Sequence, residues 1–314
     1  MKKVLAKERV LVAPLHWGLG HATRCIPLIK AELAAGNEVI IAAEKGPRAL
    51  LEEAFPHLTF TSIPFMEITY PRDGNMARHF FFQGPKLLWS ILREHRVLQK
   101  LINKEKIDRI LSDARFGLWS ARAKCVFIHH QIEIQSPMFQ GFINMLNRWV
   151  MRQYDEIWVP DLASAPGLAG TLSHPQNIPP NLRYIGPLSR FEHAVQPAAT
   201  TEWDVVAIVS GPEPQRSLFE ESLIARFKAS GERALLLRGK PDEGKASSQV
   251  GQLTVVPHLS DAALLDALSK TKKVIARSGY STIMDLHVLG ITNVEYHPTP
   301  GQTEQVYLAK LHNA

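Results

Sequence analysis

Ile275-Ala276-Arg277-Ser278-Gly279-Tyr280-Ser281-Thr282-Ile283-Met284-Asp285 is the stretch that decides the fold. An apolar, strand-like run enters a glycine turn, and hydroxyl residues then open a helix. A strand that passes directly into a helix is the unit from which parallel sheets are built. Such a helix start also suits an anion. Its free N–H groups and dipole can meet a diphosphate, joined by the hydroxyls of Ser281 and Thr282. Asp285 lies four residues beyond Ser281, on the same helical face, where a carboxylate could accept hydrogen bonds from a ribose. A purely structural alternative competes, because Thr282-x-x-Asp285 also has the form of a capping box.

The same alternation extends outward from this stretch. Strands are expected over 205–210, 233–237, 253–257, 273–276 and 293–296, with helices over 214–230, 262–269, 281–289 and 302–311. Residues 193–201 lack apolar periodicity and carry Ala, Thr and Pro, which marks a linker. Before it, strands are expected over 10–13, 38–43, 58–63, 109–113, 125–128 and 156–159, with helices over 23–35, 47–54 and 84–104. Residues 160–180 read as irregular loops, and Tyr184-Ile185-Gly186-Pro187 closes this half. The division is therefore an N-terminal domain over 1–192 and a C-terminal domain over 202–314. Both are α/β and Rossmann-like, and a cleft is expected between the carboxyl ends of their sheets, where open α/β folds bind ligands.

The whole chain fits this reading. Its 314 residues suit two domains, and 45% hydrophobic with 21% charged residues is ordinary for a globular protein. No apolar run reaches the length of a membrane-spanning helix. Lys7, Glu8 and Arg9 break the N-terminal apolar run too early for a signal peptide. The two cysteines, Cys25 and Cys125, suggest neither a disulfide framework nor a metal site, and a reducing cytoplasm fits them. A net charge of +6 favours anionic partners, but no basic run with interleaved aromatics points to nucleic acid.

Three further constellations carry chemistry. His16-Trp17-Gly18-Leu19-Gly20-His21-Ala22-Thr23-Arg24 follows the first strand. Gly18 and Gly20 permit a tight turn and close ligand approach, and His21 can serve as a general base, with His16 in reserve. Thr23 replaces the third glycine of a dinucleotide fingerprint, which argues against a nicotinamide cofactor. The plain alternative is a strand-to-helix turn with a capping histidine. In Pro298-Thr299-Pro300-Gly301-Gln302-Thr303-Glu304-Gln305, Gln302, Glu304 and Gln305 could read sugar hydroxyls, or simply form a polar first helical turn. Ser210 and Gly211 follow another strand and could contact a second phosphate, or form only a β-turn.

Taken with Gly186-Pro187-Leu188-Ser189-Arg190, these segments resemble the family 28 (MurG-like) glycosyltransferases of the GT-B superfamily. The resemblance covers both domains and is strongest over 205–311. It implies a UDP-sugar donor and inversion at the anomeric carbon with no metal and no cofactor beyond the co-substrate. The absence of an Asp-x-Asp motif is consistent with metal independence. By resemblance, His21 lies in the acceptor-side loop, Arg190 lies near the phosphates, and Ser278, Gly279, Tyr280, Ser281 and Thr282 form the phosphate loop. Asp285 stands where the family places a ribose-binding carboxylate. Gln305 with Gln302 reads the donor sugar, and His258 and Leu259 contact the base. Arg190 with Arg277 would stabilise charge on the leaving diphosphate.

There are departures from the family pattern. Leu19 separates glycines that are usually adjacent, and Val306 replaces the second glutamine of a usual pair. The family's further C-terminal helices are expected after the last helix read here, and the sequence ends at Ala314. A UDP-sugar 2-epimerase using Asp113, Glu133 and Asp285 is an alternative, as is a non-catalytic nucleotide-binding module. The acceptor is open. Phe80-Phe81-Phe82 and Leu87-Leu88-Trp89, beside Arg78, Lys86, Arg93 and Arg96, suit either a buried core helix or a basic, apolar face on a membrane that holds a lipid-linked acceptor. His129-His130 and Asp113-x-Arg115 are expected to line the acceptor side.

Overall fold

The computed structural model describes residues 7–16, 18–66, 76–194, 200–240, 243–244 and 246–313, with side chains left undescribed over 76–83. Trp17, the side chains of Arg78 and Phe80-Phe81-Phe82, and residues 195–199 of the expected linker lie outside the described residues. The chain divides into two compact units between Ser189 and Arg190, so Arg190 belongs with the C-terminal elements.

The first unit is built on β1 (Arg9–Pro14), β2 (Glu38–Ala42), β3 (Thr59–Thr61), β4 (Arg109–Asp113), β5 (Lys124–Ile128), β6 (Glu156–Val159) and β7 (Leu182–Tyr184). Their order is β3-β2-β1-β4-β5-β6-β7, and every pairing is parallel. Side chains alternate across a strand, so β1 sends Leu11 and Ala13 to one core and Val10 and Val12 to the other. Apolar residues on both faces demand cover on both. α1 (Leu19–Ala34) and α2 (Lys45–Ala54) supply Ile29 and Leu51 to the Val10 side. α3 (Met76–Glu105) and α4 (Gln140–Met151) supply Leu98, Ile102 and Met151 to the Leu11 side. This segregation follows from right-handed crossovers, because the chain runs from β1 toward β3 and then returns to build outward from β4.

The second unit holds β8 (Trp203–Ile208), α5 (Gln215–Ser230), β9 (Ala234–Leu237), β10 (Ser248–Val250), β11 (Leu253–Val256), α6 (Asp261–Ser269), β12 (Thr271–Arg277), α7 (Tyr280–Val288), β13 (Val294–His297) and α8 (Thr303–His312). The sheet order is β10-β11-β9-β8-β12-β13, parallel except for the β10–β11 hairpin. The fold is α/β with two parallel-dominated sheets, as the periodicity indicates.

Several elements depart from the sequence reading. α1 begins at Leu19 rather than near residue 23, so His21 sits in its first turn. Thr23 is interior to the helix, and its hydroxyl donates to the Gly20 carbonyl at 3.0 Å. β7, β10 and α4 have no counterpart in that reading. α4 escapes it because its pattern is reversed: Asn144 and Asn147 are buried, while Phe142, Met145, Leu146 and Trp149 face outward. Asn147 Nδ2 donates to the carbonyls of Gln131 and Ile132, both at 3.1 Å, and Asn144 bonds both backbone groups of Ile134. The loops over 160–180 are anchored by the fully buried Asp161, which accepts from Leu168 N, Ala169 N and the Ser173 hydroxyl.

Candidate functional site

Each sheet has one point where the chain reverses its direction of growth, between β1 and β4 in the first unit and between β8 and β12 in the second. Crevices outside the carboxyl ends of strands at such points are where open α/β folds bind ligands. Both carry chemistry here.

In the first unit, β1 leads into Gly18 and α1, and β4 ends on Asp113. Gly18 is the N-cap of α1 at φ 141°, a conformation that side chains with a Cβ rarely adopt, and no side chain caps the helix. Helical geometry sets His21 and Arg24 one turn apart on one face. That face meets Asp113, because β4 is hydrogen-bonded beside β1 with Pro14 in register with Asp113.

His21 Nδ1 lies 2.9 Å from Asp113 Oδ2, and Arg24 Nε lies 2.9 and 3.0 Å from the two carboxylate oxygens. Arg24 Nη2 also bonds Asp113 Oδ1. Burial alone would raise the Asp113 pKa, but Arg24 and His21 outweigh it, and the carboxyl is held well below its ordinary value. An ionised Asp113 accepts a hydrogen bond from Nδ1–H, so Nε2 of His21 carries the lone pair. The close Arg24 Nη2, 2.8 Å from the same Nδ1, is then an electrostatic neighbour. Burial first, and Arg24 second, lower the His21 pKa, which keeps the imidazole neutral and its Nε2 lone pair free of a proton. With 22% of its side-chain surface exposed, His21 remains reachable by a substrate.

The neighbouring groups are committed to the fold. His16 is lowered to about 4 by burial and by Arg115, a poor match for a base at neutral pH. Arg115 is fully buried and pairs with the equally buried Glu94, so of the Asp113-x-Arg115 pair it is Asp113 that bonds His21. His129 packs against Phe116 and Phe127. Burial, then His130 and Arg24, push its pKa well down. Among the described residues no group of three or more His, Cys, Asp or Glu could hold a metal ion.

In the second unit, β8 leads into Ser210 and Gly211, and β12 into Ser278 and α7. The N-cap of α7 is Gly279, with no side-chain cap, so the capping box read into Thr282-x-x-Asp285 does not form at this helix start. Tyr280 is buried, while Ser281, Thr282 and Asp285 are half-buried along the first turns. Gly211 has φ 107°, and a Cβ there would lie 3.5 Å from Thr299 Oγ1, which brings the turns after β8 and β13 together. Arg190 donates to Asp261 at 2.7 Å, and its Nε lies 3.6 Å from Asp285 Oδ2. It therefore ties the start of α6 to the second turn of α7. His258 and Leu259 are half-buried just before α6, whose N-cap is Ser260.

Several expected contact residues instead brace the loops. Arg277 donates to the carbonyls of Pro298 at 2.6 Å and Gln215 at 3.0 Å and lies over the Phe219 ring. Its guanidinium holds three segments together. The Ser278 hydroxyl donates to the Gln305 carbonyl at 2.7 Å, and Gln305 Oε1 accepts from Thr299 N at 2.8 Å. Gln302 is the N-cap of α8, and Glu304 lies in its first turn. The partnership of His21 with Asp113 escaped the sequence reading. Its one signal is an aspartate closing an apolar strand.

No protein-family model matches the chain. An uncharacterized glycosyltransferase of Methanosarcina acetivorans is 24% identical over 319 residues, spanning 92% of this chain and 79% of that protein. Among solved structures, the spinosyn rhamnosyltransferase SpnG superposes with a TM-score of 0.64 at 17% identity, covering 96% of this chain and 83% of that one. Acinetobacter baumannii MurG gives 0.56 at 12% identity, covering 97% and 83%. A protein from Listeria monocytogenes described as a UDP-N-acetylglucosamine 2-epimerase gives 0.57 at 13%, covering 98% and 87%. The chain shares the GT-B fold with these structures, and its curated relatives carry the glycosyltransferase name.

Proposed function

We propose that this chain, an enzyme of the glycosyltransferase class, moves a hexose or N-acetylhexosamine from a UDP-sugar to an acceptor hydroxyl, with inversion and without a metal. The observation that carries the reading is His21, oriented by an ionised Asp113 at the switch point of the first sheet. His21 Nε2 removes the acceptor proton as the hydroxyl oxygen attacks C1 of the sugar. The C1–O bond to the diphosphate breaks on the opposite face, and its electrons pass to the leaving UDP. The glycine-capped start of α7 and the turn at Ser210-Gly211 supply N–H donors for that charge. Arg190, held by Asp261 and Asp285, is the cation assigned to the diphosphate.

The MurG-like assignment is the finer part of the proposal. It rests on the Arg277–Asp285 and Pro298–Gln305 segments, and the lipid-linked acceptor follows from it. The decisive experiment is a screen of nucleotide sugars by thermal shift and donor hydrolysis, followed by acceptor transfer. Stabilisation by UDP and UDP-sugars is expected. Stabilisation by NAD alone would remove the reading. Conversion of a UDP-sugar to its 2-epimer without an acceptor would replace it with the epimerase, and UDP binding with no turnover on any acceptor would leave a binding module.

A further inference from the structure

Arg190 is shared by two carboxylates of its own unit, Asp261 in the first turn of α6 and Asp285 in the second turn of α7. Its Nη1 donates to Asp261 Oδ1 at 2.7 Å. Its Nε lies 3.6 Å from Asp285 Oδ2, too far for a hydrogen bond, and is buried without a hydrogen-bond partner among the described residues. The guanidinium carbon lies over the Phe191 ring, 5.0 Å from its centroid. A guanidinium is a planar fork that binds best to two oxygens of one anion. Here the fork is divided between two helices, and neither carboxylate takes it in that way.

The two aspartates differ in their ties to the fold. Asp285 shows 15% of its side-chain surface, and by resemblance it serves the ribose. Asp261 is half exposed, and Arg190 is its one side-chain partner among the described residues. α6 does not need Asp261 as a cap, because the Ser260 hydroxyl accepts from Ala263 N at 3.4 Å. One positive and two negative groups therefore leave a net negative charge at the helix starts to which a diphosphate is assigned. The Asp261 carboxylate also occupies a donor that a phosphate oxygen would use.

We propose that Asp261 sets the affinity for the donor by holding Arg190 until the diphosphate displaces it. The inference rests on the donor site proposed above. Binding exchanges one contact for another: Nη1 leaves Asp261, the fork closes on diphosphate oxygens, and the Asp261 carboxylate turns to water. Apparent affinity falls in proportion to the fraction of molecules whose arginine is free. An exposed ion pair of this kind shifts such an equilibrium by about two- to fivefold. Salt screens the pair and so reduces its hold.

Calorimetric titration of the full chain with UDP tests the proposal across four proteins: the wild type, Asp261→Asn, Arg190→Gln and the double variant. Asp261→Asn should bind UDP about two- to fivefold more tightly than the wild type, with the gap narrowing as salt is raised. Its unfolding temperature without ligand should stay the same, because Ser260 still caps α6. Arg190→Gln should weaken binding, and adding Asp261→Asn to it should gain nothing, since the held cation is gone. The proposal is overturned if Asp261→Asn binds UDP no better than the wild type. It is equally overturned if the gain persists in full in the Arg190→Gln background, which would make Asp261 a simple repulsive charge. A wild type that binds no UDP would remove the donor site itself, and this inference with it.

Discussion

At the scale of single residues, the chemistry concentrates on His21, whose two ring nitrogens have different tasks. Nδ1 is fixed by Asp113 and Nε2 is left to accept a proton. Replacing His21 by Ala should lower kcat by about 100- to 10,000-fold, the usual worth of a positioned base, and spare UDP affinity, as single-turnover transfer and calorimetry would show. The pH profile carries a sharper expectation. The base acts when neutral, and burial with Arg24 lowers its pKa. The acidic limb of kcat/KM should therefore fall below the ordinary histidine value of about 6.5. Asp113 acts on His21 in the raising direction, so Asp113→Asn should move that limb further down as well as slow the reaction. It also strands the buried Arg24, which should cost about 3–5 kcal/mol in unfolding free energy.

At the scale of elements, two glycines begin two helices for different reasons. Gly18 is needed for its backbone: φ is 141° and no atom lies within 4 Å of a Cβ placed there. Gly18→Ala should cost about 1 kcal/mol and displace the turn that carries His21. Gly279 has φ −72°, open to any residue, and a Cβ would approach only Thr282 Oγ1 at 4.0 Å. Gly279→Leu should fold, losing about 1 kcal/mol as a poorer N-cap, yet weaken UDP binding about tenfold or more by covering the helix start. α4 offers the counterpart in stability. Asn147→Leu makes the helix read as more conventionally amphipathic, but it orphans carbonyls of Gln131 and Ile132. Chemical denaturation should show a loss of about 1–3 kcal/mol.

At the scale of the whole molecule, groups in both units make stability depend on pH in one direction. His16 has a folded pKa of about 4 against an unfolded value near 6.5. The unfolded chain therefore binds that proton first, so the contribution is complete above about 6.5 and is lost as pH falls toward about 4. Asp113 is depressed by its partners. Glu295 is lowered to about 2, chiefly by hydrogen bonds from Arg226 and then, against the effect of burial, from Lys273 and His297. Their contributions are complete above the ordinary carboxylate range and vanish below it. Denaturant midpoints should accordingly decline in two stages on acidification, and His16→Asn should reduce the first, to which the lowered His21 and His129 also contribute.

The parts of this protein legible in its sequence are those that local physics fixes. Short apolar runs marked eleven of the thirteen described strands, because a strand buried on both faces must be apolar on both. Glycine turns marked both switch-point helices, because backbone sterics act within a few residues. Tertiary structure alone decided that Asp113 serves His21 across 92 positions, since that depends on β4 settling beside β1 after the chain crosses the sheet through α3. It also decided that Arg277 braces loops while Arg190 reaches Asp261 and Asp285, and that α4 turns its asparagines inward. Such pairings follow from which partners packing brings within hydrogen-bond reach, and no local pattern encodes that reach.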